Sequence, residues 1–213
     1  MTRRTLILAA LVALAATATG CGTRGEGAIT SETRQTDAFS RIESTAGIRV
    51  SIGIGESSGL EVRAQGNILP LIVTEVSDGT LRIHSSKGYT TSESVEVILS
   101  TPELERIALS GGSRGTVDGL AADAFDVQLS GGSVLTANGT AKTMTVGVTG
   151  GSVAELAGLT AATIAVEASG GSRAELMATD AVNGSANGGS HVSIAGGATS
   201  TVDANGGSQV EHR

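Results

Sequence analysis

Ile107-Ala-Leu-Ser-Gly-Gly-Ser-Arg-Gly-Thr-Val117 is followed twenty residues later by Val127-Gln-Leu-Ser-Gly-Gly-Ser-Val-Leu-Thr-Ala137. The Ser-Gly-Gly-Ser tetrad returns at 169–172, as Thr-Gly-Gly-Ser at 149–152, and as Asn-Gly-Gly-Ser at 187–190 and 205–208. The first Gly of each pair is residue 111, 131, 150, 170, 188 or 206, so the intervals run 20, 19, 20, 18 and 18. A period this regular marks a solenoid or another repeat array.

The flanks say which kind. Four residues before each first Gly stand Ile107, Val127, Val146, Val166, Gly184 and Val202; two before it stand Leu109, Leu129, Val148, Ala168, Ala186 and Ala204. Four and six residues after it stand Gly115/Val117, Leu135/Ala137, Ala154/Leu156, Ala174/Leu176, Val192/Ile194 and Val210/His212. Spacing by two is strand spacing, with side chains alternating in and out. Each repeat is therefore expected to be two or three short strands with a Gly-Gly corner. The fold class is all-β, a β-helix-like solenoid with coils of about 18–20 residues.

The Gly pairs have a physical task. A corner between short strands needs positive φ or close backbone approach, which Gly tolerates. Coils stacked about 4.8 Å apart would set equivalent Gly and Ser residues in columns, with Ser hydroxyls bonding along them. A Cβ at Gly151 is then expected to meet a neighbouring coil, and one at Gly207, in the last coil, to meet less. The shrinking series from Leu109 to Ala204 predicts a coil that narrows toward the C-terminus.

Residues 38–109 lack the tetrad but remain strand-like. Ile48-Arg-Val50-Ser-Ile52-Gly-Ile54 alternates strictly, and Leu60/Val62, Leu81/Ile83 and Val95/Val97/Leu99 follow. Turn signals stand at Gly55–Gly59, Ser77-Asp78-Gly79 and Thr101-Pro102, while Pro70 suits a strand boundary. One continuous β body over 38–213 is expected.

Phe39-Ser-Arg-Ile42, Ile48-x-Val50-x-Ile52, Asn67-Ile-Leu, Val76-Ser-Asp-Gly-Thr-Leu81-x-Ile83 and Thr101-Pro-Glu-Leu-Glu-Arg-Ile107 precede the repeated Ser-Gly-Gly-Ser. Together they resemble the DUF2807 family, also called the "putative auto-transporter adhesin, head GIN domain" family. The resemblance covers about residues 38–213 and implies a β-helix-like fold in an exported protein; it brings no catalytic residues. Family members usually read Ser-Gly-Ser-Gly and often close on an aromatic residue, where this chain has Ser-Gly-Gly-Ser and closes on Val210-Glu-His-Arg213.

The N-terminus bears on location. Arg3 and Arg4, an apolar stretch from Leu6 to Ala18, and Thr-Gly-Cys21 form a signal peptide over 1–20. About 13 apolar residues fall short of the roughly 20 that span a bilayer. The only cysteine follows Ala18-Thr-Gly, and the string resembles a bacterial lipobox, which implies a lipid attached to Cys21. Gly22 lacks the Asp associated with inner-membrane retention. Residues 22–37 show no apolar periodicity and are expected to be a flexible tether.

The 213-residue chain has 14 basic and 21 acidic side chains, a net charge of −7. Loss of residues 1–20 removes two Arg and no acid, leaving 12 basic against 21 acidic side chains, or −9. Anionic head groups repel such a body, so the lipid is expected to be its membrane contact. Nucleic acid is excluded as a partner because phosphate binding needs a basic footprint. One Cys cannot form an internal disulfide or a Cys-built metal site, and no cofactor is indicated.

Three motifs imitate chemistry. Gly111-Gly-Ser113-Arg-Gly115 matches a nucleophile elbow, yet Ser113 has repeat equivalents at Ser133, Ser152, Ser172, Ser190 and Ser208 and no helix follows. Gly53, Gly55 and Gly59 lack dinucleotide-fingerprint spacing. The Gly pairs lack the Asp of calcium-binding rolls. His84, His191 and His212 have no zinc-site spacing and read as surface residues. Glu155 and Glu175, with Glu211 as a third, share a column on an outward face and are the candidate acids for a β-helix carbohydrate-active enzyme. With no catalytic residue assigned, the sequence favours a lipid-anchored, non-catalytic module that binds or scaffolds an envelope glycan or protein, over that enzyme or a purely structural protein.

Overall fold

The computed structural model describes residues 22–213. Cys21 and the expected signal peptide over 1–20 lie outside the described residues. In chain order the first half holds β1 (Thr23–Arg24), β2 (Ile29–Thr33), β3 (Arg41–Ser44), β4 (Arg49–Ile54) and β5 (Gly59–Gln65). A single 3-10 turn at Leu69–Leu71 holds Pro70 and leads into β6 (Ile72–Ser77), then β7 (Thr80–Ser85), β8 (Tyr89–Thr90), β9 (Glu96–Thr101) and β10 (Arg106–Leu109). The repeats supply β11 (Arg114–Leu129), β12 (Val134–Val148), β13 (Val153–Ala168) and β14 (Arg173–Ala186). A last coil is divided into β15 (His191–Ala195) and β16 (Thr199–Ala204), and β17 (Gln209–His212) ends the chain.

The repeat positions stack as the spacing predicts. β11 and β12 are parallel, with Gly115 opposite Leu135, Val117 opposite Ala137, Val127 opposite Val146 and Leu129 opposite Val148. β12 with β13 and β13 with β14 continue the register. The repeats are a β-solenoid, but each coil differs from the expected set of short strands. β11 to β14 run 14 to 16 residues without a break. Their bends are absorbed by bulges, where the register slips between Val117 and Leu120 and between Thr136 and Asn138. A bulge bends a strand while its neighbours keep the ladder. Gly119 and Gly139 sit at these bends with φ of 78° and 135°.

The tetrads are tight turns. Both glycines have positive φ, 61° and 77° at Gly111-Gly112 and 62° and 78° at Gly131-Gly132, which is the signature of a type I′ turn. Ser113 N donates to Ser110 O across the turn at 3.3 Å. Only the first Gly touches the coil before it: a Cβ on Gly131 would stand 3.2 Å from Gly111 N, whereas one on Gly132, Gly151 or Gly207 would meet nothing within 4 Å. The stacking constraint expected at Gly151 therefore belongs to the first member of each pair. The second needs Gly for its φ alone.

A small inward residue is compensated by a larger neighbour at one point of the stack. Gly115 leaves a gap that the Leu109 and Leu135 side chains fill, at 2.8 and 3.0 Å from where a Cβ would be. The coil also shortens from β13 to β14. Leu156 lies opposite Leu176, yet the next pair is Thr160 with Met177, so Ala157, Gly158 and Leu159 have no counterparts in β14.

The first half enters the same stack. Thr45-Ala46-Gly47-Ile48 joins β3 to β4 with φ of 66° at Ala46 and 70° at Gly47. β10 lies on β3, and β11 lies on β4, with Arg114 opposite Arg49. The turn column therefore begins at Ala46-Gly47, one layer before the first tetrad. Beneath that layer, β7 pairs with β3 and β9 with β4. Antiparallel β6 and β5 then flank β7 and β9.

The expected flexible tether is corrected for part of its length. β2 pairs antiparallel with β5, from Ile29–Gln65 to Thr33–Glu61, and β1 pairs with β8. Arg34 Nη1 donates to Ile72 O at 2.7 Å. All five residues of β2 are exposed, so the strand has no buried face and no alternation by which the sequence could reveal it.

Candidate functional site

The sequence-chosen residues divide clearly. Ser113 is fully buried, and its Oγ donates to Ser110 O at 2.8 Å. Ser133 does the same to Ser130 O, while Ser172 and Ser190 donate to Val148 O and Ala168 O. The first two hydroxyls close their own turns and the other two tie a turn to the coil before it, so these buried groups serve structure and not nucleophilic attack. Gly53 lies within β4 and leads through a bend into β5, with no helix after it. Thr116, Thr136, Glu155, Glu175, Ser193 and Glu211 form one column, outward except at the buried Ser193, and Glu155 and Glu175 are direct neighbours in it. Glu155 accepts from Thr136 Oγ1 at 2.8 Å. Ser193 separates Glu211 from the pair. His191 lies 3.7 Å from Glu211, His212 is on the terminal strand, and His84 is on β7 opposite Val73. No group of three metal-ligating residues forms among the described residues.

Two concave places form where the repeat is interrupted. The larger, about 730 Å³, lies where the loop before β10 meets the bends of β11 and β12. Glu103, Glu105, Asp123 and Asp126 line it over an apolar floor that includes Leu104 and Phe125. These are other acids than the Glu155 pair, and most are engaged. Asp123 pairs with Lys142 at 2.6 Å, and this hydrogen bond raises the Lys142 pKa above the ordinary lysine value. Asp126 pairs with Arg106 at 2.8 Å and accepts from Gln128, while Glu105 accepts from Ser40 Oγ.

The smaller hollow, about 390 Å³, is lined by Ala46, Gly47, Arg49, Tyr89 to Val95, and Arg114. It exists because the turn column stops here. β3 and β4 are joined by the tight turn at Ala46-Gly47, but β7 and β9 beneath them are joined by the longer segment 86–95. Tyr89 Oη donates to Ala46 O at 2.8 Å, and burial pushes the phenol pKa up. Thr91 Oγ1 donates to Gln65 Oε1 at 2.7 Å and accepts from Glu93 N, which fixes the rim. Register places Arg63, Glu96, Arg49 and Arg114 in one column. Glu96 pairs with Arg49 at 3.1 Å. Arg114 follows with its side chain in no hydrogen bond or ion pair among the described residues.

Sequence reasoning missed this hollow because its residues come from three distant segments. One signal was present: Arg49 follows Gly47 by two positions, as Arg114 follows Gly112. Seeing it required reading Ala46-Gly47 as a turn of the same column.

The chain is similar in fold to several solved proteins. A "putative adhesin" from Bacteroides fragilis superposes with a TM-score of 0.74 at 17% identity, covering 90% of this chain and 100% of that one. A "putative adhesin" from Parabacteroides distasonis gives 0.57 at 18% identity, covering 90% and 99%. A "putative lipid binding protein" from the same organism gives 0.58 at 12%, covering 89% and 98%. No curated protein matches the chain significantly. The family model described as "Putative auto-transporter adhesin, head GIN domain" matches residues 38–198, and the solenoid continues past that match to a further turn at Gly206-Gly207. The chain belongs to the DUF2807, or head GIN domain, family.

Proposed function

We propose that this head GIN protein is an exported, lipid-anchored cell-envelope module that binds or scaffolds a partner without catalysing a reaction. The observation that carries the proposal is how its charged side chains are disposed. Several ion pairs join stacked strands, as in Arg82–Glu43, Arg106–Asp126 and Arg49–Glu96. Catalytic acid–base pairs need groups poised to exchange a proton, whereas in-register columns of fixed charges and hydroxyls suit recognition of an extended partner. A carbohydrate-active enzyme would find its carboxylates in the larger groove, where Asp123 and Asp126 are already committed to Lys142 and Arg106.

Attachment through Cys21 supplies the membrane contact that a net charge of −9 on the mature chain opposes. The test is fractionation of cells producing the Cys21→Ser protein. Transfer from the membrane to the soluble fraction is expected. Equal membrane retention of both proteins would refute the anchor.

A further inference from the structure

We infer that the hollow bounded by Arg49, Arg114 and Tyr89 binds the carboxylate-bearing ring of an acidic glycan, a uronate in chemical class. This rests on the binding-module reading above and names its ligand.

The charge pattern comes first. Along the column Arg63, Glu96, Arg49, Arg114 the signs alternate until the last step, where two arginines stand opposite each other in the register of adjacent strands. Like charges on adjacent strands repel. Glu96 answers Arg49, while Arg114 faces the hollow without a counter-ion among the described residues. A bound carboxylate would relieve that repulsion. A guanidinium fork matches both oxygens of a carboxylate, which an ammonium cannot do.

The remaining walls suit a sugar better than a bare anion. Tyr89 is the only tyrosine of the chain, and its hydroxyl is tied to the Ala46 carbonyl. That bond fixes the ring, an apolar body with a polar tip that lines the hollow while packing against the core. Thr90, Ser92 and Ser94 bring hydroxyls to the same segment, and each can donate or accept. A volume of about 390 Å³ lies at the small end of ligand pockets, about 300–1,000 Å³, and suits one or two sugar rings. Glu93 also lines the hollow. Its charge works against densely charged polyanions and favours a ligand with one carboxylate per ring.

The chain has one Tyr and no Trp, so tyrosine fluorescence reports this hollow directly. The full chain in detergent is titrated with digalacturonate, with the neutral digalactose, and with acetate and sulfate. A saturable Tyr89 response to digalacturonate alone is expected. Arg114→Gln should weaken it at least tenfold, and Arg114→Lys should keep part of it, since the charge remains but the fork is lost. Arg114 is exposed, and circular dichroism of each variant confirms the fold. No response, an unchanged response in Arg114→Gln, or equal affinity for acetate or sulfate would overturn the proposal. Retention on immobilised polygalacturonate without a Tyr89 response would overturn this site and leave the binding-module reading standing.

Discussion

The repeat coils after Ser110 and the layers before it share one turn column but hold it by different means. After Ser110 every turn carries Gly at both central positions, and each coil leads straight into the next. Before it, the corresponding turn is Thr45-Ala46-Gly47-Ile48, and the next layer begins only at β10, which lies on β3 after the chain has left through β5 to β9 and returned. The tetrad Ser-Gly-Gly-Ser thus survives there at a single position, Gly47. The repeated half obtains its geometry from local turn chemistry, and the first half obtains the same geometry from long-range pairing. The hollow at Tyr89 lies at the end of the tight turns, as expected when function is carried by a departure from the repeat.

Substitutions can break or sharpen this comparison. The largest effect is expected in the repeat core. Leu135→Ala removes the side chain that fills the space over Gly115, and Gly115 has none with which to close the cavity. It should cost about 3–5 kcal/mol, at the upper end for such truncations, measured by urea denaturation. Gly184→Ala follows. Its φ is 138°, and its Cβ would fall 1.8 Å from the Val166 carbonyl oxygen, so backbone of the previous coil must move. A loss of about 3 kcal/mol is expected, consistent with strain plus a broken ladder contact.

A finer comparison lies within one turn. Gly131→Ala should destabilise more than Gly132→Ala, because both require positive φ but only the first meets the Gly111 backbone. About 1–2 kcal/mol is expected at Gly132 from conformation alone, with Gly131 exceeding it. Equal losses would remove the stacking contact from the account. Val at Gly151 and at Gly207 no longer differ on steric grounds, since neither site has a neighbour within 4 Å; a smaller loss at Gly207 would reflect fraying of a terminal coil. The smallest effect is a gain. Ala46→Gly gives the first turn the residue used by all the others, relieves an Ala at φ 66°, and should stabilise by about 0.5 kcal/mol after the entropy cost of Gly.

These contrasts also show what the sequence made legible. Val127, Leu129, Leu135 and their equivalents repeat at positions two apart, so the inward columns could be read before any coordinates. The bends at Gly119 and Gly139 could not, because bulges tolerate varied residues and the intervals there change by one or two. β2 was hidden by having no buried face, and the Ala46-Gly47 turn by its Ala and Ile48, which stand where the tetrads carry Gly and Ser. For the site, Glu155 and Glu175 were correctly placed side by side. Arg49, Tyr89 and Arg114 meet only through the register of β4 beneath β11, which no local pattern specifies.

The central claim is that the Gly-Gly turns form one hydrogen-bonded column. Gly132 N donates to Gly150 O at 3.1 Å, Gly151 N to Gly170 O at 3.1 Å, Gly171 N to Gly188 O at 3.0 Å and Gly189 N to Gly206 O at 3.0 Å. Gly207 N has no such acceptor among the described residues. Residue-resolved amide hydrogen exchange tests this directly, because an exposed turn outside a column exchanges fast. Slow exchange at Gly132, Gly151, Gly171 and Gly189 with fast exchange at Gly207 is the predicted result. Uniformly fast exchange at all five would contradict the column and the stacked solenoid built on it.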